Sequence, residues 1–400
     1  MPAGPFGRRR VAGAIEKPFM RVGFFTECYH PIVNGIVASV DALALGLRSA
    51  GHDVYCFAPT APGYAESGDG PVFRMPSLPL PSGAPYRLTL PLVSRRNRDG
   101  VIKRLDVIHA HSPFVTGWMG VRYARRYGIP IVYTYHTQLE EYAHYLPFEE
   151  TATRRAATTL TRGFANSADA VIVPTPAMRD RLRAVGVTSV VEIVPSGIDV
   201  AHFGAGRRSE ELRRACGVAG GRMALFVSRL AREKNVDLLL EAQAFRRDPS
   251  LRLVIAGDGP ERERLEQRAR ALGIGERTHF LGAVERERLP DLYASADAFV
   301  FPSVSETQGL VLAEALAAGA YVIAVDTPQN RDVMAGCARL VEPNAGAFAA
   351  AFESIPISVD PVRREAARLS ACRFGIGQQT ALVEALYERL ASGRRTATGS

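Results

Sequence analysis

The stretch Ser303-Val304-Ser305-Glu306-Thr307-Gln308-Gly309-Leu310-Val311-Leu312-Ala313-Glu314-Ala315-Leu316-Ala317-Ala318-Gly319 holds two carboxylates, Glu306 and Glu314, with seven residues between them. The apolar run Ala298 to Phe301 reads as a buried strand that Pro302 ends, and Gly309 opens an Ala/Leu-rich helix that stops at Gly319. A strand, a polar loop and a helix N-terminus in that order present unpaired backbone N–H groups and the positive end of a helix dipole. That arrangement suits a phosphate or another anion. Glu306 lies in the loop, and Glu314 lies about one and a half turns into the helix. Spacing leaves two readings open: a helix-end charge with a solvated helix residue, or two groups that hold a ligand.

Other candidates follow strands in the same way. In Ser228-Arg229-Leu230-Ala231-Arg232-Glu233-Lys234-Asn235, Arg229 and Lys234 fall at a strand's carboxyl end, where α/β sheets bind ligands. They read either as a solvated charged loop or as two cations that neutralise a diphosphate. Gly257-Asp258-Gly259-Pro260 also follows a strand and, taken alone, is a turn. Asn34-Gly35 lies beyond the first strand, where a glycine lets the backbone approach something closely or simply turns. No Gly-x-Gly-x-x-Gly is found there, which argues against a dinucleotide site. His109, His111 and His136 stand at the ends of two strands. No carboxylate or cysteine completes them into a ligand set and no Asp-x-Asp occurs, so no metal site is expected.

The elements that must position these residues alternate between strand and helix. Strands are expected at 20–25, 53–58, 107–110, 131–135 and 170–173, and again at 223–227, 252–256, 298–301 and 321–325, with helical stretches between them. The helix from about Ile36 to Ala50 is closed by Gly51, and a Pro- and Gly-rich loop is expected over 59–91. Such an α/β alternation folds into doubly wound parallel sheets. Four hundred residues, 47% hydrophobic and 22% charged, can fill two cores. Five scattered cysteines suggest neither a disulfide framework nor a thiolate zinc site, and fit a reducing cytoplasm. No apolar run reaches membrane-spanning length. Residues 1–200 carry 22 Lys and Arg against 16 Asp and Glu, so the first half holds most of the net charge of +8. That excess can serve an anionic membrane surface or nucleic acid, or aid solubility.

The Glu-x7-Glu pattern, with Ser-Glu-Thr-Gln-Gly-Leu before it and Glu-Ala-Leu-Ala-Ala-Gly at its end, closely resembles the signature of the large retaining glycosyltransferase family with the GT-B fold. The resemblance runs from Met20 to about Leu390. It implies two Rossmann-like doubly wound domains facing a cleft: an acceptor-side domain over 20–195 and a nucleotide-sugar domain over 196–375. A helix over 376–391 would cross back to the first domain, with disordered tails at 1–19 and 392–400. It implies that Glu306 meets the donor sugar hydroxyls, Glu314 the donor ribose, and Arg229 and Lys234 the leaving diphosphate. Gln308, Gly309 and Leu310 would offer backbone groups to sugar or diphosphate, and Gly257 would lie near the donor base. Gly35 would lie beneath the diphosphate with Asn34 beside the acceptor. His136 would reach the donor sugar across the cleft, and His111 would be a structural or acceptor-side residue. The resemblance also implies retention of configuration. With no carboxylate standing out as a nucleophile, front-face attack is expected and double displacement remains open.

Tyr135-His136-Thr137-Gln138-Leu139-Glu140-Glu141-Tyr142-Ala143-His144-Tyr145 resembles, more narrowly, a stretch of glucosyltransferases that act on diacylglycerol, with Glu141 standing where that pattern has Asp. Glu141, Tyr142, His144 and Tyr145 are therefore expected on the acceptor side. The resulting expectation is a metal-independent hexosyl transfer from a nucleotide sugar, UDP-glucose foremost, to a lipid hydroxyl. The alternatives are GDP-mannose or another donor with a different acceptor, and a nucleotide-sugar 2-epimerase-type enzyme. No cofactor and no nucleic-acid partner are expected. The protein should sit in the cytoplasm, peripherally on the inner face of an anionic membrane, docked through the mixed Leu/Arg segment 86–105 that holds Arg95, Arg96 and Arg98.

Overall fold

The computed structural model describes residues 18–66, 70–79, 86–91, 97–145, 149–218, 220–246, 250–356 and 360–397, with only the backbone described at 97, 98, 143–145 and 394–397. Residues 1–17 of the expected tail at 1–19, the basic residues at 95 and 96 and the last three residues lie outside this set.

Nine strands come from the first half: β1 (Arg21–Phe25), β2 (Asp53–Pro59), β3 (Val72–Met75), β4 (Ser77–Pro79), β5 (Arg87–Thr89), β6 (Val107–Ala110), β7 (Ile131–Thr134), β8 (Ala170–Val173) and β9 (Val190–Ile193). Six follow: β10 (Arg222–Val227), β11 (Leu251–Ala256), β12 (Thr278–Gly282), β13 (Ala298–Phe301), β14 (Val322–Val325) and β15 (Ala338–Val341). The first sheet runs β3-β2-β1-β6-β7-β8-β9 and the second β12-β11-β10-β13-β14-β15, while β4 and β5 form a small antiparallel hairpin. Every described strand pair within the two large sheets is parallel.

Helices cover both faces of each sheet, so central strands are apolar throughout instead of alternating. In β10, Leu225 packs into one core with Phe299 and Leu312, whereas Ala224 and Phe226 pack into another with Leu239 and Phe348. Those buried runs are why the central strands are legible in the sequence. The edge strands β3, β9, β12 and β15 are only part-buried along much of their length. Their mixed polarity gives no strong periodic signal, and the sequence reading passed over them. The expected loop over 59–91 is corrected accordingly. It contains β3 and the β4–β5 hairpin, strands of three or four residues interrupted by Pro76, too short for a pattern to emerge.

Several helix starts are set by local chemistry. The helix Gly35–Ser49 is capped by Asn34, whose Oδ1 accepts from Val37 N at 3.0 Å. Thr175, Thr327 and Asp360 cap helices whose first turn begins with proline. Glu27 serves the helix Val115–Tyr127 from a distance. Its Oε2 accepts from Thr116 N at 2.9 Å and Thr116 Oγ1 at 2.8 Å, and its Oε1 accepts from Thr89 N at 3.0 Å. One carboxylate thus ties the loop after β1 to both the hairpin and a helix N-terminus.

The last helix, Ile376–Ala397, lies on the first sheet's side of the molecule. Val383, Leu386 and Tyr387 pack with Val40, Leu43 and Leu47 of the helix Gly35–Ser49. A buried pair between His52 Nε2 and Glu384 Oε1, 2.8 Å apart, fixes this contact. The helix does not stop at 391. It runs to Ala397, which corrects the expected tail at 392–400, because nothing from Ala391 to Ala397 is a helix breaker except Gly393.

Candidate active site

In each sheet the strand order reverses at one point, between β1 and β6 in the first and between β10 and β13 in the second. Loops at the carboxyl ends of such strands diverge and leave a crevice. The loop after β1 carries Asn34, and those after β6 and β7 carry His111 and His136. The loop after β10 carries Arg229 and Lys234, and the loop after β13 carries Glu306. Residues far apart in the chain meet for this reason.

On the second sheet, Lys234 Nζ is ion-paired and hydrogen-bonded to Glu306 Oε1, which also accepts from Ser303 Oγ at 3.2 Å. An ammonium has three donors, so two remain for an anionic ligand. Arg229 Nη2 stands 3.6 Å from Glu233 Oε1 and its side chain is 40% exposed, available to a ligand in the crevice. Gly309 adopts φ +73 at the start of the helix Leu310–Ala317, and no side chain caps that start. Its first-turn N–H groups therefore suit the anion that spacing suggested. Gln308 is used twice. Its side chain is buried, with Oε1 accepting from Ser196 N at 2.7 Å and Nε2 donating to Ser196 O at 3.1 Å, which leaves only its backbone for a ligand.

Glu314 is buried, not solvated, at 5% exposure. Burial pushes its carboxyl up, opposed by Arg286, whose Nη1 is 3.8 Å from Oε1, and by Tyr293 Oη, which donates to Oε2 at 2.9 Å. Arg286 in turn lies over the Phe203 ring, 5.3 Å from its centroid. Sequence reasoning missed Tyr293 and Arg286. Both come from a separate stretch of chain before β13, and no spacing links them to Glu314. Gly257 has φ +141, and a Cβ there would lie 1.8 Å from Ser228 O, so the glycine lets the loops after β10 and β11 touch.

The first sheet supplies the facing wall. Gln138 Nε2 donates to Ser305 O and to Glu306 O, each at 2.9 Å, and Thr307 Oγ1 donates to His136 O at 3.0 Å. The Glu306 loop is thus gripped from across the cleft. Gln138 lies within the quoted acceptor stretch, yet only the fold reveals this contact. The hydroxyl of Tyr142 is pushed up by burial and by the carboxylates of Glu233 and Glu306. Glu141 is not free for an acceptor in this arrangement, being paired with Arg181 at 3.0 Å and Arg154 at 3.4 Å. The side chains of His144 and Tyr145 are outside those described. Asn34 Nδ2 donates to Cys28 Sγ at 3.0 Å, and burial holds that thiol at about 11, so it is neutral. Beside Gly35 there is open space, with nothing within 4 Å of a built Cβ.

His111 and His136 touch, Nδ1 to Nε2 at 3.0 Å, and His109 stacks on His111 with ring centroids 4.2 Å apart. Burial pushes His136 down to about 4 and His109 to about 3, so these rings are neutral at ordinary pH. Beyond the Asn34 loop lies a cleft of about 240 Å³, lined among others by Glu27, Tyr29, His30, Ile32, Tyr86 and Arg87. No motif in the sequence signalled it. No helix among the described residues is long and apolar enough to cross a membrane.

Comparison with known proteins brings two family models onto the chain: the glycosyl transferases group 1 model over residues 209–358 and the glycosyltransferase family 4 model over residues 33–202. The chain is 34% identical over 316 residues to an alpha-monoglucosyldiacylglycerol synthase of Streptococcus pneumoniae, covering 77% of this chain and 72% of that protein. It is 36% identical over 324 residues to a GDP-mannose-dependent alpha-mannosyltransferase of Mycobacterium tuberculosis, covering 79% and 81%. The fold matches the sucrose-phosphate synthase of Thermosynechococcus elongatus with a TM-score of 0.73 at 22% identity, over 94% of this chain and all of that one.

Proposed function

This chain belongs to the group 1 glycosyltransferases of the GT-B fold, and on that premise we propose that it transfers glucose from UDP-glucose to the free hydroxyl of diacylglycerol, with retention of configuration and without a metal ion. One juxtaposition supports this above all: Lys234, Glu306 and an uncapped helix start converge at the second sheet's crevice, opposite His136 and Tyr142. Glucose is favoured by the diacylglycerol-type stretch at 135–145 and by the similarity to the pneumococcal alpha-monoglucosyldiacylglycerol synthase.

In this reading Arg229, Lys234 and the N–H groups at Gly309 and Leu310 hold the diphosphate, and Gly35 and Gly257 allow backbone to approach it and the base. Glu306 accepts from sugar hydroxyls, and Glu314 accepts from the ribose. The bond between the anomeric carbon and the diphosphate oxygen breaks furthest in the transition state, which is oxocarbenium-like, and its electron pair stays on that oxygen. The lipid hydroxyl oxygen bonds to the anomeric carbon on the face the diphosphate leaves, and its proton passes to the leaving oxygen. The cations oppose the growing negative charge, the task a metal performs elsewhere.

The acceptor would enter through the cleft lined by Tyr29, Ile32 and Tyr86, from a bilayer on which the protein rests peripherally. Leu78 and Leu88 face each other across the hairpin and are both exposed, as are Phe114 and Trp118 beside the helix start that Glu27 ties to it. Such side chains suit a headgroup boundary.

Incubation with radiolabelled UDP-glucose or GDP-mannose and diacylglycerol vesicles, with and without EDTA, tests the proposal. An alpha-glucosyl lipid formed equally in EDTA is expected. Transfer only from GDP-mannose would replace the donor, in line with the mycobacterial relative. Absence of any lipid product alongside transfer to a soluble acceptor would overturn the lipid assignment.

A further inference from the structure

Three imidazoles stand in a row at the carboxyl ends of β6 and β7. His109 is held at both nitrogens, Nδ1 by Tyr387 Oη at 2.5 Å and Nε2 by Thr134 Oγ1 at 2.6 Å. His111 is enclosed between that ring and Phe24, whose centroid is 4.7 Å away in an edge contact. Its Nδ1 meets His136 Nε2 at 3.0 Å, while its Nε2 is sealed and has no partner among the described residues. Nδ1 of His136 also has no protein partner among the described residues, yet it is not among the sealed atoms. His136 is therefore bonded inward at one nitrogen and open at the other.

Both rings are neutral at pH 7, because burial holds His136 at about 4 and His111 well below its ordinary value. A neutral imidazole carries one N–H, so across the 3.0 Å contact one ring donates and the other accepts. Were His136 the donor, the proton of His111 would sit on its sealed Nε2, a buried N–H without an acceptor. With His111 as donor, only a bare lone pair is sealed. Orphaned buried N–H groups are the rarer of the two.

We infer that His111 is a positioning residue: it donates Nδ1–H to His136 Nε2, which fixes the His136 proton on Nδ1, the open nitrogen. His136 then acts toward the cleft as a hydrogen-bond donor to a sugar hydroxyl and not as a base. This rests on the reading that His136 faces the donor sugar. It also assigns a task to an imidazole that is itself buried, at 3% exposure.

The test uses the full chain labelled with ¹⁵N in its histidine rings. Long-range ¹H–¹⁵N correlation spectra report which nitrogen of each imidazole is protonated, with the two rings assigned from variants. The wild type should show His136 protonated at Nδ1. H111L should let the Nε2–H form appear and lower kcat about tenfold, the scale of one lost hydrogen bond, with donor KM within about twofold. H111N keeps an N–H donor near the former Nδ1, and should restore the tautomer and most of the lost rate. A wild-type His136 protonated at Nε2 overturns the inference, as does H111L with an unchanged tautomer and rate. If H111L does not fold, the wild-type spectrum alone decides. A wild type with the expected tautomer and no glycosyl transfer would overturn the proposed function and leave the inference standing.

Discussion

Glu314 keeps a carboxylate inside an Ala/Leu helix with Tyr293 and Arg286 as its partners, and burial raises its pKa above the ordinary 4.5. A raised carboxyl contributes stability that is present below the unfolded pKa and is lost as pH rises through the folded one. Glu314→Gln removes that charge while keeping an oxygen for Tyr293. At pH 7.5 it should unfold at no lower urea concentration than the wild type, while donor KM rises about 10–150-fold for a lost charged contact. Unfolding curves and donor titration of the same preparation check both halves. His109 and His111 have the opposite sign. Their pKa values fall below 6.5, so below pH 6.5 the unfolded chain binds protons that the folded one refuses. Stability should therefore drop on acidification by about 1.4 kcal/mol per pH unit for each imidazole. Urea unfolding between pH 6.5 and 5 measures the slope, and H111N should make it shallower by one such contribution.

Two glycines that look alike in sequence do different work in their elements. Gly35 begins the helix Gly35–Ser49 with open space where a Cβ would stand. Gly35→Ala should fold and gain up to about 1 kcal/mol of helix propensity, and, under the proposed function, weaken donor binding by filling the approach to the diphosphate. Gly257 sits at φ +141 with Ser228 O 1.8 Å from a built Cβ. Gly257→Ala incurs about 1–3 kcal/mol of backbone strain before the clash is counted, so its melting temperature should fall clearly. Thermal unfolding beside donor titration separates the pair: a destabilised Gly35→Ala, or a Gly257→Ala as stable as wild type, would contradict these roles. The loop after β13 shows the same division of labour. Gln308 braces Ser196 and Gln138 braces the backbone at 305–306, leaving Lys234 and Glu306 to face the crevice.

Across the whole molecule, the last helix couples the chain's end to the imidazole row. Tyr387→Phe leaves Nδ1 of buried His109 without its 2.5 Å partner and should cost about 1–3 kcal/mol. Faster amide exchange in β6 and β7, remote in sequence, is the measurement; exchange unchanged there would show that the contact carries no stability. Much of this molecule is legible in the chain itself. Buried parallel strands need continuous apolar runs, so β1, β6, β8, β10 and β13 are read within a residue of their observed ends, and the Glu-x7-Glu stretch marks a strand end and a helix start because an apolar run, a proline and a glycine signal them locally. Part-buried edge strands lack such runs. Tertiary structure decided what depends on contacts between distant segments: that Lys234 pairs with Glu306, that Glu141 is taken by Arg154 and Arg181, that Tyr293 and Arg286 surround Glu314, and that His111 meets His136. The reversal of strand order in each sheet brings many of these residues together, and it is set by how whole βα units pack, a property that no local spacing encodes.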